Sequence, residues 1–113
     1  MKHVTGIVVK GKQKGRELGF PTANIIISEQ IEGGIYWATA VVNGQKHAGA
    51  VFIYPGGNLF EIHVLDFAGD LYGKQLDVEL GEKIREMKKF DNEDDLKKQI
   101  AADVEQVRLL VDI

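Results

Sequence analysis

Hydrophobic residues in the first 80 positions fall in short runs broken by glycine, a pattern of strands rather than helices. Residues 4–10 form a β-branched run, and residues 35–42 form a second. Asn43 and Gly44 follow the second run directly. A type I′ turn needs positive φ at both central residues, which Asn and Gly tolerate, so a hairpin is predicted with its returning strand at 48–53. Gly56 and Gly57 then break the chain before a run at 59–67. Strand alternation puts Phe60, Ile62 and Val64 on one apolar face of that run. Glu61 and His63 fall on the other, with Leu59, Leu65 and Phe67. A turn at Ala68, Gly69 and Asp70 leads to residues 76–80, where Leu76, Val78 and Leu80 alternate with Asp77 and Glu79.

The period changes near the end. Leu96, Ile100, Val104, Val107 and Val111 are spaced by three or four, a helical stripe that predicts packing of one face on the sheet. Asn92 is a good N-cap, and Asp95 stands three residues later, where a capping box has its acid. Asp94 and Asp95 also suit the positive end of the helix dipole. Short strands, frequent turns and one final helix predict a mainly β fold: a small β-barrel with a C-terminal α-helix.

At 113 residues the chain is expected to be one domain spanning 1–113. It has no cysteine, which excludes disulfides, thiolate nucleophiles and Cys-ligated zinc or iron–sulfur sites. No apolar run approaches the ~18 residues of a membrane span. The first six residues hold no signal-peptide core, so a cytoplasmic protein is expected. Charge is unevenly placed. Residues 1–24 hold Lys2, Lys10, Lys12, Lys14 and Arg16 against Glu17 alone, in a chain whose net charge is −3. A local cationic cluster on an acidic protein suits a small anionic ligand better than a long polyanion. A single-stranded nucleic-acid barrel would need aromatic platforms and an extended basic groove. Aromatic content is only 8% and the basic residues sit at one end, so no nucleic-acid partner is expected.

Gly6, Gly11 and Lys12 match most of a P-loop, but Gln13 stands where the magnesium-binding hydroxyl belongs. The intervening residues read as strand, and Gly15, Gly19 and Pro21 prevent a following helix, so the motif is rejected. The next residues are more informative. Gly11, Gly15 and Gly19 let the backbone approach a ligand closely, so that successive N–H groups can face an anion. Lys12, Lys14 and Arg16 add positive charge around it. Pro21 fixes the backbone before Thr22 and Asn24, two hard oxygen donors of the kind Mg²⁺ accepts. If this segment is extended, their side chains face the same way. Taken as residue types alone, the same stretch also reads as a Gly-Pro loop with capping polar residues.

Residues 15–24 run Gly-Arg-Glu-Leu-Gly-Phe-Pro-Thr-Ala-Asn without a break. Later come Glu61 and His63, then Asp70, Leu71, Tyr72 and Gly73, then Arg85, then Lys89, Phe90 and Asp91. In this order, over almost the whole chain, the sequence closely resembles the riboflavin kinase family. The resemblance implies a Greek-key-like closed β-barrel, and an enzyme that transfers the γ-phosphoryl of ATP to the 5′-hydroxyl of riboflavin, giving FMN. It implies Thr22 and Asn24 as ligands of Mg²⁺ and the terminal phosphates. Gly11, Lys12, Gly15 and Arg16 would cradle the nucleotide phosphates, Glu61 would accept the hydroxyl proton, and Arg85 and Phe90 would wall the flavin. His63 is read as a supporting residue and Tyr72 as core. The implied partners are riboflavin, ATP and FMN alone, with no membrane, and the chain is expected to be a monomer.

Two departures qualify the resemblance. The family usually has an Ile-Gly-x-x-Pro-Thr-like segment before the Glu strand. Here Ile53 is followed by Tyr54, Pro55, Gly56, Gly57 and Asn58, which leaves open a relative that binds flavin or nucleotide without turnover. The adenylyltransferase domain that precedes this module in many bacterial bifunctional enzymes is not seen, so FAD synthesis is not expected.

Overall fold

The structure is a computed structural model that describes residues 2–10, 18–56 and 58–111. Six strands, β1 (Lys2–Val9), β2 (Ala23–Ile26), β3 (Gly34–Val42), β4 (Gln45–Ile53), β5 (Leu59–Val64) and β6 (Gln75–Arg85), precede one helix, α1 (Glu93–Leu110). The strands close into a barrel in the order β1-β2-β5-β4-β3-β6, every pairing antiparallel. The chain meanders through β3, β4 and β5, while the β2–β3 and β5–β6 connections cross over, which makes the path a Greek key.

Alternation decides what fills the barrel. Val4 and Val8 of β1, Ile25 of β2, Val51 and Ile53 of β4, Phe60, Ile62 and Val64 of β5, and Leu76, Val78 and Leu80 of β6 are all buried in one interior cluster. The apolar face predicted for residues 60–64 is therefore the inward one. Asn43 and Gly44 turn the β3–β4 hairpin with φ of 51° and 79°, as the dipeptide predicts. Several strands differ from the sequence pattern: β1, read at 4–10, spans Lys2–Val9, and β4, read at 48–53, begins at Gln45. The run at 59–67 stops pairing at Val64, because Asp66 adopts a left-handed turn with φ of 57°. The strand read at 76–80 continues to Arg85, where β3 supplies partners beyond a bulge near Tyr36. β2 is only four residues long and carries no periodic signal of its own.

A second apolar cluster lies outside the barrel. Ile35, Ala50, Phe52 and Leu65 on the outward face meet Ile100, Val104 and Val107 of α1. The Asn92 side chain caps the helix by accepting from the Asp95 backbone N–H at 2.9 Å. Two ion pairs fix its pose. Near its last turn, Arg108 donates to both oxygens of Asp66, at 2.9 and 3.0 Å. Midway along, Asp103 is buried and receives Nε and Nη2 of Arg85 at 2.8 and 2.7 Å. Gln99 adds a third bond to Asp103 at 3.1 Å. The Arg108 contact holds the Asp66 carboxyl below the usual carboxylate range, chiefly through its hydrogen bonds.

Gly81 has a packing reason. A Cβ there would fall 2.2 Å from the Trp37 ring, which packs with the second cluster and cannot yield as a flexible side chain would. Gly81→Ala is expected to cost about 1–3 kcal/mol through overpacking, read as a lower melting temperature. Asp103→Ala leaves the Arg85 charge without its partner and is expected to cost about 3 kcal/mol, read as a lower urea midpoint.

Candidate functional site

Residues directly opposite one another in an antiparallel pair point to the same face. One such row runs round the barrel through Val9, Asn24, Glu61, Phe52, Ile35 and Arg85. Their chain neighbours Val8, Ile25, Phe60 and Ile53 point inward, so this row faces outward. The same register that fills the barrel thus brings Asn24 beside Glu61, and Arg85 to the edge of the helix-packed surface.

A cavity of about 890 Å³ opens on this face. Its walls are largely apolar, with Leu18, Phe20, Phe52, Met87, Phe90 and Ile100 among them. Lys10, Thr22, Tyr54, Glu61 and Arg85 add polar groups. A second cavity of about 740 Å³ is lined by Lys10, Thr22, Asn24, His63, Asp70 and Tyr72, among others. Lys10 and Thr22 line both, so the cavities adjoin there. Both lie within the size range of small-molecule sites.

Asn24 is 3% exposed, and its Oδ1 has no hydrogen-bond partner among the described residues. A buried acceptor in that state calls for a ligand, a water or a cation. Thr22, two residues before it, lines the same cavity. These are hard oxygen donors, and they fit Mg²⁺, which typically takes few protein ligands and fills its shell with phosphate and water. Among the described residues no group of three or more His, Asp and Glu forms a ready-made cage for a metal.

His63 ties the Glu61 strand to the Thr22 segment. Its Nδ1 lies 2.7 Å from the Pro21 carbonyl, which only accepts, so Nδ1 carries the proton. The ring also meets Phe20 edge-on, with centroids 5.6 Å apart. His63 thus braces the Glu61 strand against the segment that carries Phe20 and Pro21. Arg85 lines the first cavity, but its fork is engaged by Asp103, and Nη1 donates to the Glu86 carbonyl at 2.9 Å. Phe90 lines the same cavity, with the Lys88 ammonium 5.7 Å from its ring centroid. Tyr72 corrects the sequence reading. It is 54% exposed, not core, and faces the second cavity with the Lys10 ammonium 5.2 Å from its ring centroid. The loop carries it outward: the Tyr72 backbone N–H is held by Asp70 Oδ1 at 2.9 Å, while Leu71 takes the inward position. Gly11, Lys12, Gly15 and Arg16 lie outside the described residues.

Two members of the site were not singled out from the sequence. Lys10 was counted only as charge, although its place at the end of β1 sets it where the cavities join. Tyr54 stood out only as a departure from a pattern. Both Tyr54 and Glu61 line the first cavity, and the Tyr54 pKa is raised, first by burial and then by the nearby Glu61 carboxylate.

Comparison with known proteins agrees with this fold. A family model described as riboflavin kinase (Flavokinase) matches residues 2–111. The chain is 42% identical over 112 residues to the RNA-binding riboflavin kinase RibR of Bacillus subtilis, covering 92% of this chain and 49% of that protein. Among solved structures, it matches one described as a macrolide-efflux protein from Streptococcus pneumoniae with a TM-score of 0.83 and 32% identity, covering 94% of this chain and 38% of the other. It matches riboflavin kinase from Trypanosoma brucei with a TM-score of 0.71 and 26% identity, covering 96% and 78%. The chain spans about half or less of the length of the curated relatives it matches. A matched family model over nearly every residue, on a six-stranded barrel with the same final helix, means that this chain belongs to the riboflavin kinase family.

Proposed function

We propose that this chain is an ATP-dependent riboflavin kinase, with residues 1–113 as a single catalytic domain working as a cytoplasmic monomer. The observation that carries the reading is the pairing of Glu61 with Asn24 where two cavities adjoin. The apolar first cavity suits a flat aromatic ring system, with Phe90 and Met87 as walls. The second cavity, the more polar of the two, suits the nucleotide, with Lys10 and Thr22 at the junction.

In this reading the ribityl 5′-hydroxyl reaches Glu61, which accepts its proton as the oxygen bonds to the γ-phosphorus. The bond from that phosphorus to the bridging oxygen breaks, and ADP leaves. Phosphoryl transfer asks the protein mainly for positioning and charge neutralisation. Lys10 is placed to neutralise phosphate charge, and Gly11, Lys12, Gly15 and Arg16 are proposed to do the same. Thr22 and Asn24 would hold Mg²⁺, which supplies charge neutralisation on the terminal phosphates when bound. Arg85 acts through the wall: its bonds to Asp103 and to the Glu86 carbonyl fix the start of the segment that carries Met87 and Phe90.

Incubation with riboflavin, ATP and Mg²⁺ is expected to yield FMN; intact protein that binds both substrates and forms no product would sink the proposal and leave a binding-only relative. Glu61→Gln is expected to lower kcat by about 10²–10⁴ while riboflavin binding, read by flavin fluorescence, persists. Asn24→Ala is expected to weaken Mg²⁺-dependent ATP binding by at least about 10-fold, with riboflavin binding in the absence of nucleotide unchanged.

A further inference from the structure

Thr22 and Asn24, two oxygen donors of the second cavity, are held by different means. Asn24 is set by the ladder. It stands on β2 opposite Glu61, and the pairing ends one step later with Ala23 opposite Ile62. Its buried Oδ1, without a hydrogen-bond partner among the described residues, is thus an acceptor fixed in place by backbone pairing. Thr22 lies one residue beyond the strand. Continued by one step, the register sets His63 opposite Thr22, and there a side chain takes over from the ladder. His63 Nδ1 donates to the Pro21 carbonyl at 2.7 Å, and its ring meets Phe20 edge-on.

A peptide unit is planar, so the Pro21 carbonyl and the Thr22 N–Cα bond turn together. Proline fixes its own φ and leaves ψ free, and ψ is the angle that swings this plane. A hydrogen bond to the carbonyl oxygen stops that rotation. It thereby fixes the direction in which the Thr22 side chain leaves the backbone. Threonine is β-branched and stiff at χ1, so its hydroxyl follows the backbone. We propose that His63 is a positioning residue for Thr22, its bond to the Pro21 carbonyl holding the Thr22 hydroxyl in register with Asn24 Oδ1 so that both oxygens reach one divalent cation. This rests on the kinase reading, which gives those oxygens to Mg²⁺ at the ATP phosphates, and deepens it by naming the residue that sets one of them.

The test reads binding to the full chain by calorimetry, with a non-hydrolysable ATP analogue in the presence and absence of Mg²⁺. Asn carries its amide nitrogen at the δ position that Nδ1 occupies, while Gln carries the same amide one carbon further out. A difference between the two variants therefore reports where the donor sits, not loss of the ring. His63→Gln is expected to weaken Mg²⁺-dependent binding about 10-fold, the upper scale of one hydrogen bond and the lower scale of a residue that orients a metal ligand. His63→Asn is expected to stay within about 3-fold of the unsubstituted chain. Binding of the analogue without Mg²⁺, and of riboflavin alone, is expected to be unchanged in both. Thr22→Val keeps the side-chain shape and removes the hydroxyl; in that background His63→Gln is expected to cost nothing further.

Equal effects of His63→Asn and His63→Gln would overturn the proposal. So would a loss that persists without Mg²⁺ or extends to riboflavin, the same loss in the Thr22→Val background, or an unsubstituted chain whose affinity for the analogue is indifferent to Mg²⁺. None of these readouts needs turnover. A chain that shows the expected pattern and forms no FMN keeps the positioning role and loses the kinase reading; FMN formation without the pattern does the reverse.

Discussion

Closing six antiparallel strands on themselves divides every strand into a face for the barrel interior and a face for the outside. The interior must be filled by Ile25, Phe60, Ile62, Val51 and Ile53, which are almost wholly buried. That requirement fixes the register, because a slip of one residue would exchange the two faces. The outward row is then determined as well. Asn24, Glu61 and Phe52 stand side by side on three neighbouring strands because Ile25, Phe60 and Ile53 do so on the inside. The candidate chemistry is thus set by backbone ladders, the stiffest part of the molecule.

The helix completes what the barrel begins. Outward apolar residues such as Ile35 and Phe52 would be exposed without Ile100, Val104 and Val107 against them. The same packing leaves room beside it for the first cavity, one wall of which is the segment between β6 and α1. Arg85 sits at the start of that segment, and its fork to the buried Asp103 joins the last strand to the helix. A planar guanidinium suits this role because it satisfies both carboxylate oxygens at once and still reaches a backbone carbonyl. Its position in the chain resembles a ligand residue, while its bonds are those of a brace.

Local features were legible in the sequence where local physics decides them. Asn43 and Gly44 specify a hairpin turn, and Asn92 and Asp95 specify a helix start, whatever surrounds them. The alternation at 60–64 identified the inward face of β5. What could not be read depends on distant partners. The four residues of β2 are a strand only because β1 and β5 flank them. The Arg85–Asp103 pair joins residues 18 apart in the chain on different elements. Gly81 looks like any glycine until the Trp37 ring is seen above it. Tyr72 reads as core because tyrosine in a β-rich chain usually is, and the Asp70 turn places it outside instead.

The central claim is that the outward row sets a proton acceptor beside a phosphate site. A crystal structure of the chain with riboflavin, Mg²⁺ and a non-hydrolysable ATP analogue tests it most directly. The account predicts the flavin ring in the first cavity, the 5′-hydroxyl within about 2.6–3.2 Å of a Glu61 oxygen, and Asn24 Oδ1 engaged on the metal–phosphate side. A flavin bound in the second cavity, or a 5′-hydroxyl turned away from Glu61 toward another side chain, would contradict it.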